Sequence, residues 1–269
     1  MAELIVSMAQ MDVKLGNPRI NWGKMQQMTT VAKAQGGQLV VFPELWDVGF
    51  ALEQAKEFAS SLSGGLFAQV AALSKQQGIF ITGSMLEKRG LGITNSAPMV
   101  SPINGLMGAY RKIHLFPLLR EDLYLTAGEA TFTANLPWGV TSIAICYDLR
   151  FPELFRRYAL EGAQVVVVPC QWPAERIGHF KTLLRARAIE NGMYIVAVNR
   201  VGEDVLEEGE APRRYSGHSM IVDPFGEVVL QAGNVEGVFT AQIDLSTADR
   251  ARAAIPVLEG RRPDLYGSY

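Results

Sequence analysis

Apolar runs of strand length recur along the chain, and longer amphipathic segments fall between them. Residues 4–8 form the first run. Asn17 then precedes Pro18, a favourable helix start, and an amphipathic segment continues to about Ala34. Residues 39–42 are a second apolar strand, ending at Pro43, and residues 65–77 read as a helix closed by Gly78. Strands follow at 79–85, 95–100 and 106–110, joined by Gly- and Pro-bearing turns. Another strand covers 141–146. It leads into a helix over 151–161, with Pro152 in the first turn and Gly162 after the end. Four consecutive valines at 165–168 predict a strand buried on both faces. A helix at 179–190 and strands at 194–198, 218–222, 227–230 and 237–243 complete the pattern. The most polar stretch, 201–214, predicts an exposed loop between two strands. Helices and strands are mixed throughout, which implies a layered α/β architecture with sheets packed face to face and helices outside. No linker, repeat or low-complexity segment interrupts it, so 1–269 reads as a single domain.

Composition narrows the function classes. Hydrophobic residues make up 48% of the 269, enough for a large core, and the net charge is −2. No basic run exceeds a pair, which argues against nucleic acid as a partner. No apolar stretch approaches the roughly 20 residues of a membrane span. The N-terminus has an acid at Glu3 and no basic region ahead of its apolar run, so it reads as a strand and not as a signal peptide. Two cysteines and three histidines are too few and too scattered for a zinc site, and neither a dinucleotide nor a P-loop fingerprint occurs. A disulfide is arithmetically possible, but a chain of this size does not need one. A reduced, cytoplasmic protein is the simpler reading.

Candidate chemistry gathers at the ends of apolar strands. Cys146 falls where a strand turns into a helix, an elbow that presents a nucleophile beside backbone N–H donors. Taken alone, it is as easily a small buried hydrophobe. Cys170 ends the valine strand and suits a pocket wall better. Glu44 follows the strand LVVFP, where partial desolvation suits a general base, although a surface acid is the plainer reading. Glu153, in a second Pro-Glu-Leu, sits in a helical first turn and needs no further role. Lys112 follows the strand LMGAY and is placed either to stabilise an oxyanion or to snorkel at the surface. His114 and His218 are alternative bases for the thiol, and spacing singles out neither.

Three segments in order, VVFPELW, AYRKIHLF and AICYDLRFPELFRRYA, closely resemble the nitrilase superfamily of carbon–nitrogen hydrolases. The resemblance covers nearly the whole chain, through TLLRARAIENGMYIVAVN, YSGHSMIVDPFGEVV and the closing IPVLEGRRPDLY. It implies a four-layer α-β-β-α sandwich that pairs into homodimers. It also implies Glu44 as general base, Lys112 as charge stabiliser and Cys146 as nucleophile, with no cofactor or metal. Glu121 is the best match for a further glutamate found after the lysine in family members, and the Tyr147 N–H would join Lys112 in holding the oxyanion. Cys-Tyr-Asp after the strand, instead of the Cys-Trp-Glu of nitrilases, looks like the amidase branches. The segment Gln171-Trp172-Pro173-Ala174-Glu175-Arg176 looks most like bacterial omega-amidases, which hydrolyse the terminal amide of 2-oxoglutaramate-like acids. The alternatives within the family are the amidase of deaminated glutathione or another aliphatic amidase, nitrilase or carbamoylase. A catalytically silent binding protein is the alternative outside enzymes, and the presence of all three catalytic residue types counts against it. In the omega-amidase reading, Arg176 binds a substrate carboxylate against Trp172 as an apolar wall. Arg150 competes for that role unless it pairs with Asp148 or Glu153.

Overall fold

In the computed structural model, which describes residues 3–206, 209 and 211–267, the first strand, β1 (Glu3–Gln10), divides its side chains by parity. Leu4, Val6 and Met8 enter one hydrophobic core and Ala9 enters another, as the period of two requires. β2 (Leu39–Val41) repeats the division, with Leu39 and Val41 on the first side and Val40 on the second. These strands belong to a seven-stranded sheet. Its order is β15 (Gly237–Asp244), β1, β2, β3 (Phe80–Thr82), β5 (Gly92–Ser101), β4 (Met85–Arg89), with β6 (Gly105–Arg111) pairing β5. β1, β2 and β3 run parallel, and β15 closes the sheet antiparallel from Glu3↔Asp244 to Gln10↔Gly237.

The second sheet has six strands in the order β14 (Val228–Gln231), β13 (Met220–Val222), β10 (Tyr194–Asn199), β9 (Val165–Cys170), β8 (Gly139–Ile143), β7 (Thr133–Leu136). β8, β9 and β10 are parallel, and every residue of β9 is buried. The larger core joins the inner faces of both sheets to the helices α5 (Pro152–Leu160) and α6 (Ile177–Asn191) through Leu154, Phe155, Phe180 and Leu184. The other core lies under α1 (Pro18–Ala34) and α3 (Gly65–Gln77), which contribute Met25, Met28, Phe67 and Val70. The layers are therefore α-β-β-α. Short helices α2 (Ala55–Phe58) and α4 (Glu121–Tyr124) sit in connections, and α7 (Ser246–Ala254) and α8 (Pro263–Tyr266) come last. Among the described residues no helix is long and apolar enough to cross a membrane.

The structure adds β7 and the helices α2, α4, α7 and α8, which the sequence pattern did not predict, and three segments that it did predict take another form. The run at 79–85 is two strands, β3 and β4, broken at Gly83. A Cβ there would lie 2.6 Å from that of Phe42, at a φ of +151°, so glycine lets the chain pass the end of β2 closely. The run at 141–146 ends as a strand at Ile143, and Cys146 already has a φ of +44°. The stretch at 201–214 is not all loop. β11 (Val201–Asp204) and β12 (Arg213–Ser216) pair as an antiparallel hairpin, because Val201 and Asp204 are buried while Gly202 and Glu203 face outward. Residues 207, 208 and 210 of that stretch lie outside the described residues.

Candidate active site

Glu44 is placed by the loop that leaves β2. Leu45 has a φ of +41°, and the loop is tied to the break between β3 and β4. Leu45 N donates to Ser84 Oγ at 2.8 Å, Trp46 N to Ser84 O at 3.0 Å, and Ser84 N to Pro43 O at 3.2 Å. The Glu44 side chain is fully buried. Its Oε1 accepts from Lys112 Nζ at 2.7 Å and Asn95 Nδ2 at 2.9 Å, and its Oε2 accepts from Gln171 N at 3.1 Å. The Gln171 side chain adds Nε2 to Glu44 O at 2.7 Å, while its Oε1 accepts from Arg200 Nη1 at 3.0 Å. A guanidinium only donates, so buried Arg200 forces the Gln171 amide oxygen toward itself and the NH2 toward Glu44. Arg200 is in turn held by Asp204 Oδ2 and Val13 O, each at 2.6 Å.

Lys112 follows β6 directly and is also buried. Its Nζ lies 2.7 Å from Glu44 Oε1 and 2.7 Å from Glu121 Oε1. Glu121 begins α4, and its Oε2 accepts from Phe116 N at 2.7 Å. Burial alone would lower the Lys112 ammonium, but Glu121 and then Glu44 outweigh it and hold the lysine above its ordinary range. Lys112 is thus a fixed positive charge. Burial pushes the Glu121 carboxyl up to about 6, with Lys112 pulling down and Glu44 pushing up.

Cys146 sits on the elbow between β8 and α5, and buried Asp148 holds that elbow to the lysine strand. Asp148 Oδ2 accepts from Ile145 N and from Tyr110 Oη, both at 2.8 Å. Its Oδ1 accepts from His114 N at 3.1 Å and lies 2.7 Å from His114 Nδ1. One carboxylate therefore joins the residue before the nucleophile to both flanks of Lys112. Burial pushes the Cys146 thiol up, Cys170 and Glu44 add to this, and Lys112 opposes it. The thiol opens on a cleft walled by Lys112, Phe116, Tyr147, Arg150, Trp172 and Arg176.

The structure thus brings Glu44, Lys112, Glu121 and Cys146 to one place, with Tyr147, Trp172 and Arg176 around the opening. Neither His114 nor His218 lines the cleft. The His114 ring is bound to Asp148 and stacked on Phe151 at 3.7 Å between centroids. Cys170 is not a wall either, since it is fully buried and its Sγ donates to Val168 O at 3.4 Å. Arg150 does not take the pairing with Asp148 that its position suggests. Both Asp148 oxygens are occupied, and the guanidinium lies 4.7 Å from the Trp172 ring centroid. Trp172 is fixed by its N to Asn199 Oδ1 at 2.7 Å and its Nε1 to Arg176 O at 2.9 Å. Sequence reasoning overlooked Asn95, Gln171, Asn199 and Arg200. The available signal was a polar residue inside or closing an otherwise apolar strand.

The description carbon–nitrogen hydrolase belongs to the family profile that matches residues 5–253. The 2-oxoglutaramate amidase of Bacillus subtilis (strain 168) is 34% identical over 262 residues, spanning 97% of this chain and 98% of that protein. A Staphylococcus lugdunensis protein named hydrolase in agr operon is 39% identical over 85% of this chain and 96% of its own. Among solved structures, a CN-hydrolase superfamily protein of Xanthomonas campestris with an arsenic adduct in its active site superposes with a TM-score of 0.89. It is 29% identical, over 97% of this chain and 98% of that one. A profile spanning almost the whole sandwich, and relatives alike from end to end, show that the chain belongs to the carbon–nitrogen hydrolase family.

Proposed function

We propose that this protein is an omega-amidase that hydrolyses the terminal amide of a 2-oxo dicarboxylate monoamide, such as 2-oxoglutaramate, and releases ammonia. The observation that carries the chemistry is Lys112 Nζ held 2.7 Å from both Glu44 and Glu121 in the cleft onto which Cys146 opens. Glu44 takes the thiol proton and Cys146 attacks the amide carbon. Lys112 and the Tyr147 N–H stabilise the oxyanion. Glu44 then protonates the departing ammonia and later draws a proton from the water that cleaves the thioester. Glu121 touches neither thiol nor substrate in this scheme. It anchors Lys112 and keeps it charged.

The choice of branch rests on the relatives named 2-oxoglutaramate amidase and on the cations at the cleft. Arg176 stands exposed at the rim, Arg150 lies on the Trp172 ring, and Trp172 supplies an apolar wall. In this reading Arg176 binds the substrate carboxylate. The test compares 2-oxoglutaramate or succinamate with a neutral amide of the same length, in wild type and in Arg176→Ala. Loss of the charge-assisted contact is expected to cost roughly 1.5–3 kcal/mol for the acid and little for the neutral amide. A wild type that prefers the neutral amide, or a nitrile, overturns the branch while leaving the hydrolase. The same reading has the enzyme working as a cytoplasmic homodimer without a metal. Dialysis against a chelator should leave the rate unchanged, and a loss restored by zinc would contradict it.

A further inference from the structure

Cys170 takes no part in the reaction proposed above. It ends β9, which pairs parallel with β8 through Thr141↔Val165, Ser142↔Val166 and Ile143↔Val167. Beyond the last pair, Ala144 N still donates to Val167 O at 3.1 Å. The helical turn that begins at Cys146 then packs against β9, the strand that ends at Cys170. Disulfides join Cα atoms roughly 4.4–6.8 Å apart, a reach that neighbouring packed segments meet. Both cysteines are free and belong to the same core cluster, and the Cys170 thiol is among the groups that act directly on the Cys146 thiol. Their exposure differs. Cys146 is 8% exposed and reaches the cleft, whereas Cys170 is fully buried behind it.

We infer that hydrogen peroxide entering the cleft converts Cys146 and Cys170 into an intramolecular disulfide, a reversible off-state that shields the nucleophile. The Cys146 sulfur attacks a peroxide oxygen and the O–O bond breaks. The sulfur gives two electrons to the peroxide, which leaves as water with the thiol proton, and Cys146 becomes a sulfenic acid. The Cys170 thiol then attacks that sulfur. The S–S bond forms, the S–O bond breaks, and the Cys170 proton departs in a second water. A dithiol reductant reverses both changes. Without a neighbouring thiol, a sulfenic acid proceeds to sulfinic acid, which such reductants do not recover. The inference rests on the reading of Cys146 as the open thiol of the active site. Its readouts are thiol number and mass, which need no substrate.

The test treats the full-length protein with hydrogen peroxide, alkylates it in denaturant and maps the peptides. In wild type, the two free thiols should fall to none. The chain should lose the mass of two hydrogens, and a Cys146–Cys170 linked peptide should appear. Dithiothreitol should restore both thiols and full amide hydrolysis. Cys170→Ala should turn over like wild type before oxidation, but with peroxide it should accumulate Cys146 sulfinic acid and recover nothing with dithiothreitol. Wild type that accumulates Cys146 sulfinic acid beside a free Cys170 thiol overturns the inference. So do chains linked to one another through Cys146. A wild type inert toward every amide but showing the internal link would remove the proposed reaction and leave the disulfide standing.

Discussion

Lys112 is a buried cation held between two buried carboxylates, Glu44 and Glu121. Lys112→Ala is expected to lower turnover by ~10²–10³, the usual value of a preorganised oxyanion donor. Glu44→Gln should act earlier, slowing the labelling of Cys146 by iodoacetamide as well as turnover. The two variants are separated by measuring labelling and steady-state rates on the same preparations. Wild-type turnover in either one would show its role to be misassigned. Glu44 and Lys112 stood out locally because each follows an apolar run that stops at a polar residue, but only the resemblance of the three segments singled them and Cys146 out from plainer surface and core readings. Gln171 and Arg200 did not stand out. Their importance comes from contacts across 127 residues to Glu44 and 29 residues between themselves, and no local pattern encodes such crossings. Arg150 misled for the complementary reason. Asp148, its nearest acid in sequence, is taken up by Tyr110 and His114 from the lysine strand and by Ile145 N, and the guanidinium lies over Trp172 instead.

At the scale of elements, the segment Cys146–Arg150 is a turn of helix pinned by Asp148 and not the end of a strand. Asp148→Ala would leave Ile145 N, Tyr110 Oη and both His114 donors without their acceptor. A stability loss of roughly 3 kcal/mol or more is expected, since each buried group left unpaired costs ~1–3 kcal/mol. Denaturant unfolding monitored by fluorescence checks this, and a midpoint equal to wild type would show that the clamp is dispensable. Helix starts and stops were well read, as at Asn17-Pro18, where Asn17 Oδ1 caps Ile20 N at 3.1 Å, and at Gly78 with a φ of +63°. Interruptions inside strands were not read. The break at Gly83 is demanded by Phe42, just past the end of β2, and the β11–β12 hairpin forms in a stretch whose polarity conceals two buried positions.

For the molecule as a whole, the acid beneath the Glu44 loop makes stability depend on pH. Asp47 is buried, and its Oδ1 has no hydrogen-bond partner among the described residues, while Oδ2 accepts from Leu86 N at 3.2 Å. Burial outweighs its backbone hydrogen bonds and pushes the carboxyl up to about 7. Unfolded, it titrates near its ordinary value of 3.8. Between those values the native state holds more protons than the unfolded chain, so this group's contribution falls as pH rises. At ~1.4 kcal/mol per pH unit, the loss by neutrality is about 4 kcal/mol. Asp47→Asn should therefore melt higher than wild type above about pH 7, with the advantage gone below about pH 4. Melting curves across that range decide it, and parallel curves for the two proteins would exclude the linkage. The layer order was legible at this scale because two strand parities and two amphipathic helix pairs leave few ways to bury everything.

Two carboxylates around one ammonium leave the Glu44–Lys112–Glu121 cluster one negative charge in excess when all three are ionised. A free thiolate beside it would add a second charge at a site that is almost wholly buried. In the proposed reaction the thiol proton therefore passes to Glu44 as the sulfur attacks and leaves on the ammonia, and the proton that restores the thiol comes from the attacking water. Alkaline titration of the resting enzyme should accordingly raise no thiolate ultraviolet band until the fold gives way. Over one catalytic cycle the only net traffic across the cleft is amide and water inward, and acid and ammonia outward.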